Sequence, residues 1–128
     1  MVDWSKYEPE FTEDEFRCNC GQCGGKADMD SAFMDKLHAL RIEYGKAITI
    51  NPGGGFRCRL HPDEASKDKP GSHAQGKAGD LRTLSGLAKF EIKRLAHKHG
   101  FVGIGNGKTF THLDVGHDHA TRPADWTY

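Results

Sequence analysis

The chain has 128 residues, enough for one domain with a modest core and too few for a catalytic domain plus a separate binding module. Acidic and basic residues number 18 each, so the formal net charge is zero and nothing advertises a basic surface for nucleic-acid phosphates. No run approaches the ~20 apolar residues of a membrane span, and Met1-Val2-Asp3-Trp4-Ser5-Lys6 offers no apolar leader, so the expectation is a monomer made in the cytoplasm without a signal peptide.

Thr12-Glu13-Asp14-Glu15 has the pattern of a capping box opening a short helical turn. Next comes Cys18-x-Cys20-x-x-Cys23, with Cys58 far along the chain. Four thiolates can close a structural zinc site, two disulfides suit an oxidising compartment, and free thiols suit a reducing one; the spacing leaves all three open. Phe33, Leu37, Leu40 and Tyr44 recur at helical spacing and Gly45 follows as a stop, predicting a helix from about Ser31 to Tyr44. Ala47 to Ile50 reads as a short strand. His61 to Gly71, rich in Asp, Lys and Pro, reads as an exposed loop beside a substrate cleft.

Gly71-Ser72-His73-Ala74-Gln75-Gly76-Lys77-Ala78-Gly79-Asp80 is the most informative stretch, together with His112-Leu113-Asp114 further on. His73 and Asp80 would stand roughly 23 Å apart on a straight strand at ~3.3 Å per residue, and ~10 Å apart along a helix. To share an ion with bonds of about 2 Å the segment must fold back. Gly76 and Gly79 permit that, placing His73 in a loop and Asp80 at the start of a strand, Asp80-Leu81-Arg82-Thr83. A helix from about Ser85 to His99 then turns Leu87, Phe90, Ile92 and Leu95 mostly inward, and Gly100 ends it.

The last expected unit is a hairpin, Phe101 to Gly105, turning at Asn106-Gly107 and returning from Thr109 to Val115. Phe110, His112 and Asp114 share one face of the return strand. Gly103-x-Gly105-x-Gly107-Lys108 lacks the spacing and the following Ser or Thr of a phosphate loop. The elements together predict an α+β domain spanning the chain, with two main helices and a small, largely antiparallel sheet that carries the metal ligands. Zinc held by two imidazoles and one carboxylate keeps a coordination place for water, the arrangement of a hydrolytic site.

Ser72-His73-x-x-Gly76-x-Ala78-x-Asp80 and Phe110-x-His112-x-Asp114 resemble the signatures of M15-type zinc peptidases, a group that includes D-alanyl-D-alanine carboxypeptidases and phage L-alanyl-D-glutamate endopeptidases. Glu15-Phe16-Arg17-Cys18, Ile48-Thr49-Ile50, Gly55-Phe56-Arg57 and Gly103-Ile104-Gly105 follow in the family's order. The resemblance implies that His73, Asp80 and His112 bind zinc, that Arg57 steadies a substrate carbonyl or carboxylate, and that the substrate is a peptidoglycan stem peptide. It also implies action on the cell wall, as for a phage lysis enzyme released through a permeabilised membrane. Relatives often carry an acid three positions before the last histidine, where this chain has Thr109. Asp114 is then the candidate general base, or alternatively the group that orients an imidazole. The competing expectation is a non-catalytic zinc module, since the signalling domain of Hedgehog proteins also resembles these peptidases. His38, His61, His97 and His99 receive no role. His117 and His119 are read as part of a solvated loop, with metal or substrate contact as the alternative.

Overall fold

The computed structural model describes residues 2–128. Helix α1, Ser31–Tyr44, begins where the Asp30 side chain accepts from Phe33 N at 2.9 Å and stops at Gly45, whose φ of 72° is left-handed. Helix α3, Gly86–Lys98, is capped by Ser85, whose hydroxyl accepts from Ala88 N at 3.0 Å. Between them a one-turn helix, α2, Pro62–Ala65, interrupts the stretch expected to be an exposed loop. It buries Glu64, whose carboxylate accepts from Gly71 N at 2.9 Å and pairs with Lys67. Short 3-10 turns at Trp4–Lys6 and Glu13–Phe16 precede α1, the second closed by the expected capping box.

Four strands form one sheet: β1 Ala78–Arg82, β2 Gly103–Asn106, β3 Phe110–Asp114 and β4 Ala124–Thr127, in the order β1-β3-β2-β4. The β1–β3 and β3–β2 pairs are antiparallel, and β4 adds to β2 in parallel. The expected α+β architecture with a largely antiparallel sheet is therefore present, extended by an edge strand. Leu81, Ile104 and Leu113 join Phe33, Leu37, Leu40, Ile92 and Leu95 in one buried cluster under α1 and α3. Strand alternation leaves Asp80, His112 and Asp114 on the opposite face.

Several local expectations need correction. Leu87 and Phe90 are 65% and 67% exposed, because at ~100° per residue they lie about 140° and 160° around the helix axis from buried Ile92. Ala47 to Ile50 is no strand. It makes a single bridge, Ile50 to Leu81, before Pro52 and the following glycines carry the chain along the β1 edge, where Asn51 N donates to Asp80 O and Asp80 N to Gly54 O. Asp80 sits at the centre of β1 rather than its start. Gly76, with φ of 69°, makes the fold-back, whereas Gly79 lies in the strand against the Phe33 ring. The hairpin turns at Lys108-Thr109, closed by Gly107 N donating to Phe110 O at 2.9 Å, because Asn106 is already paired with Thr111.

Leu113→Ala should lower unfolding free energy by about 2–5 kcal/mol, since the side chain is fully enclosed between sheet and helices. Leu87→Ala should stay within roughly 0.5 kcal/mol of the parent in the same urea titration.

Candidate metal centre

Antiparallel pairing sets Asp80 directly across from His112, so both side chains rise from the same face of the sheet. His73 enters from the loop before Gly76, and its Nε2 lies 3.3 Å from Asp80 Oδ1. His112 Nδ1 lies 3.2 Å from that same oxygen. One ligand atom from each of the three residues falls within 4.8 Å of the other two, and all three residues are buried. The structure thus brings His73, Asp80 and His112 together.

Proton bookkeeping explains why this cluster wants a cation. His73 Nδ1 is 2.8 Å from the Gly55 carbonyl, which can only accept, so Nδ1 carries the ring proton and Nε2 of the neutral ring presents a lone pair to Asp80 Oδ1. His112 stands between two carboxylates, with Nε2 2.7 Å from Asp114 Oδ2 and Nδ1 facing Asp80. A neutral imidazole has one proton for those two acceptors. With that proton held at Nε2 by Asp114, His112 Nδ1 and His73 Nε2 both offer lone pairs beside Asp80 Oδ1, and a divalent ion there would be ligated by all three. Two imidazole nitrogens and a carboxylate oxygen are a donor set that suits zinc.

Without an ion, protons shared with the imidazoles answer the same negative charge. Burial acts to raise the Asp80 pKa, but the His112 and His73 imidazoles outweigh it and hold that carboxyl well below the usual carboxylate range. Burial presses the His112 pKa down, yet the Asp114 and Asp80 carboxylates together lift it above the ordinary histidine value.

The surrounding groups fix each ligand. Arg57 donates from Nη2 to Asp80 Oδ2 at 2.9 Å and from Nε to Gly53 O at 2.7 Å, leaving Asp80 Oδ1 to the two histidines. Asp114 is fully buried behind His112. Its Oδ1 accepts from Gly116 N and Arg122 Nε, each at 2.9 Å, and its Oδ2 accepts from Arg122 Nη2 at 2.8 Å beside the His112 contact. Trp126 on β4 lies against the His112 ring, 5.2 Å between centroids, and the Arg122 guanidinium sits 5.0 Å above the indole. Gly103 and Gly105 face Asp114 and His112 across the β2–β3 pair. A Cβ at either would run into the Asp114 carboxylate or the Trp126 and Tyr128 rings.

Arg122, Trp126 and the Gly55 carbonyl were not anticipated from the sequence. A carbonyl leaves no sequence signal, and the only hint of Trp126 was alternation in a four-residue strand after Pro123. His117 and His119 lie outside the three-residue cluster; His117 Nδ1 contacts the Asp118 carbonyl at 2.6 Å, and His119 is exposed. The four cysteines converge at a second place, and none is in a disulfide.

Comparison with known proteins agrees with this geometry. A family model described as Peptidase M15 matches residues 9–114, well over half of the chain and all three clustered ligands. No curated protein matches the chain.

Because Asp114 fixes the proton of His112 on Nε2, Asp114→Ala should weaken zinc binding about 10- to 100-fold in a chelator competition titration. His73→Ala should abolish binding at this centre in the same assay.

Proposed function

Since the chain belongs to the Peptidase M15 family, we propose that this metallopeptidase uses zinc, held by His73, Asp80 and His112, to hydrolyse a peptide bond in peptidoglycan stem peptides. The observation that carries the reading is the convergence of two imidazole nitrogens on one oxygen of a buried carboxylate. When bound, zinc supplies Lewis acidity that activates water and polarises a carbonyl.

The chain's own residues prepare that centre. Gly55 O holds the His73 proton on Nδ1, and Asp114 Oδ2 holds the His112 proton on Nε2, so each ring keeps a lone pair for the ion. Arg57 binds the outer oxygen of Asp80 and keeps donors at Nη1, where the exposed Asp63 carboxylate lies 3.7 Å away. A substrate carboxylate or developing oxyanion that displaces Asp63 meets a permanently charged guanidinium. With both oxygens engaged by Arg122, Gly116 N and His112, Asp114 acts as a positioning residue for His112 rather than as the proton acceptor.

Substrate class rests on the family resemblance and on the adjoining surface. A cavity of about 530 Å³ runs from Lys67 to Ser72, the residue before His73, and is flanked by His117 and His119. Lys69, His117 and His119 outweigh Asp68 along this lining, a surface that suits a short peptide rich in carboxylates, as stem peptides are. Cleavage of that substrate places the working protein at the cell wall, in keeping with a phage lysis enzyme that crosses a permeabilised membrane.

A second reading, a zinc module without turnover, draws on the engaged state of Asp114 and on Thr109, three positions before His112, where relatives often carry an acid. Isolated peptidoglycan separates the two. The peptidase should release stem-peptide fragments, whose masses name the cleaved bond, and chelator should stop the release; tight zinc with no fragments would overturn the hydrolytic reading. Arg57→Ala should lower kcat/KM by about 100- to 1,000-fold, and cleavage at the parental rate would remove Arg57 from the mechanism.

A further inference from the structure

We infer that Cys18, Cys20, Cys23 and Cys58 hold a second zinc ion, a closed structural site that braces the segment bearing Arg57. All four sulfurs lie within 4.8 Å of one another, and Cys20 Sγ is 3.4 Å from Cys58 Sγ. Four sulfurs arranged tetrahedrally about zinc at ~2.3 Å stand about 3.8 Å apart. Two disulfides would need only two short sulfur pairs. A common centre needs every pair short, and that is the arrangement present.

The backbone around the sulfurs is shaped for thiolates. Gly21 adopts a left-handed φ of 77°, turning the chain so that Gln22 N donates to Cys20 Sγ at 3.3 Å, while Cys58 N donates to Cys18 Sγ at 3.4 Å. Amide donors stabilise sulfur as an anion and fix the direction in which it presents its remaining lone pairs. Cys18 and Cys58 are buried on the inner side, and Cys20 and Cys23 close the outer side. Lys26 and Arg59, with Asp28 as the one acid, line the cleft of about 500 Å³ that borders Cys23 and Cys58, leaving net positive charge beside a centre that would be net negative with zinc bound by four thiolates.

The site has a structural consequence for the first centre. Phe56 N donates to Phe16 O at 3.0 Å, and Asn19 Oδ1 lies 3.0 Å from His61 Nε2, so residues 16–20 and 55–61 are already laced together on both sides of the cysteines. Within the second segment, Gly55 O orients His73 and Arg57 binds Asp80. An ion joining Cys18, Cys20 and Cys23 to Cys58 pins that segment one residue from Arg57.

Metal counting on the full chain tests the proposal separately from the peptidase reading. Purified parent should contain two zinc ions per chain, and His73→Ala, which removes only the first centre, should retain one. In His73→Ala loaded with cobalt, thiolate-to-cobalt charge-transfer absorption should appear, and all four thiols should resist a thiol reagent until chelator is added. Cys20→Ser combined with Cys23→Ser should lose that absorption and one ion. Should this double variant not fold, His73→Ala decides the matter alone. No metal in His73→Ala, four freely reacting thiols, or an intact mass lowered by two hydrogens per bridge would each overturn the site, while leaving the first centre standing.

Discussion

Asp80 lies across from His112 in the β1–β3 register, and this one pairing governs the chemistry of the molecule. It places a buried carboxylate oxygen against two imidazole nitrogens, a donor set that gathers a cation. Each of the two carboxylates at the centre has its own arginine: Arg57 on the outer oxygen of Asp80, and Arg122 on both oxygens of Asp114. These cations neutralise the rear of each acid without entering the space between the ligands. Attraction for a further positive charge is thereby confined to one point. Removing either arginine would leave a buried carboxylate without its partner, a change more damaging than loss of an exposed ion pair.

Much of this was written in the local sequence. Helix α1 matched its apolar spacing and its Gly45 stop, because both signals act within a few residues. The same holds for the His73-to-Asp80 fold-back, where chain geometry demands a turn and Gly76 supplies it. Leu87 and Phe90 misled because their apolarity suggested burial, whereas the stripe of α3 that meets the core is set by Ile92, Leu95 and Ala96. Segment 47–50 had the composition of a strand but makes only the Ile50–Leu81 bridge on the β1 edge opposite β3, because Pro52 and the glycines after it turn the chain out of regular pairing.

What could not be read locally was anything that depends on chain meeting chain. Strand β4 is short, half-exposed and preceded by Pro123, so its pairing with β2 is a tertiary event. Arg122 precedes that strand, and its hold on Asp114 follows from where the strand docks rather than from the spacing between the two residues. The Gly55 carbonyl became a functional group only when the loop before β1 laid His73 beside it. In physical terms the ligands were legible as residue types, while their orientation belonged to the packed state.

Gly103 and Gly105 leave β2 bare on the face that carries Asp80, His112 and Asp114. The floor of the centre is consequently peptide backbone, which cannot be trimmed by substitution and where any larger residue would press on the Asp114 carboxylate or on the Trp126 and Tyr128 rings. Trp126 is the side chain that leans over His112 from the neighbouring edge. Anyone wishing to reshape this centre without disturbing its ion would start from the Trp126 and Tyr128 rings on the β4 side rather than from the floor.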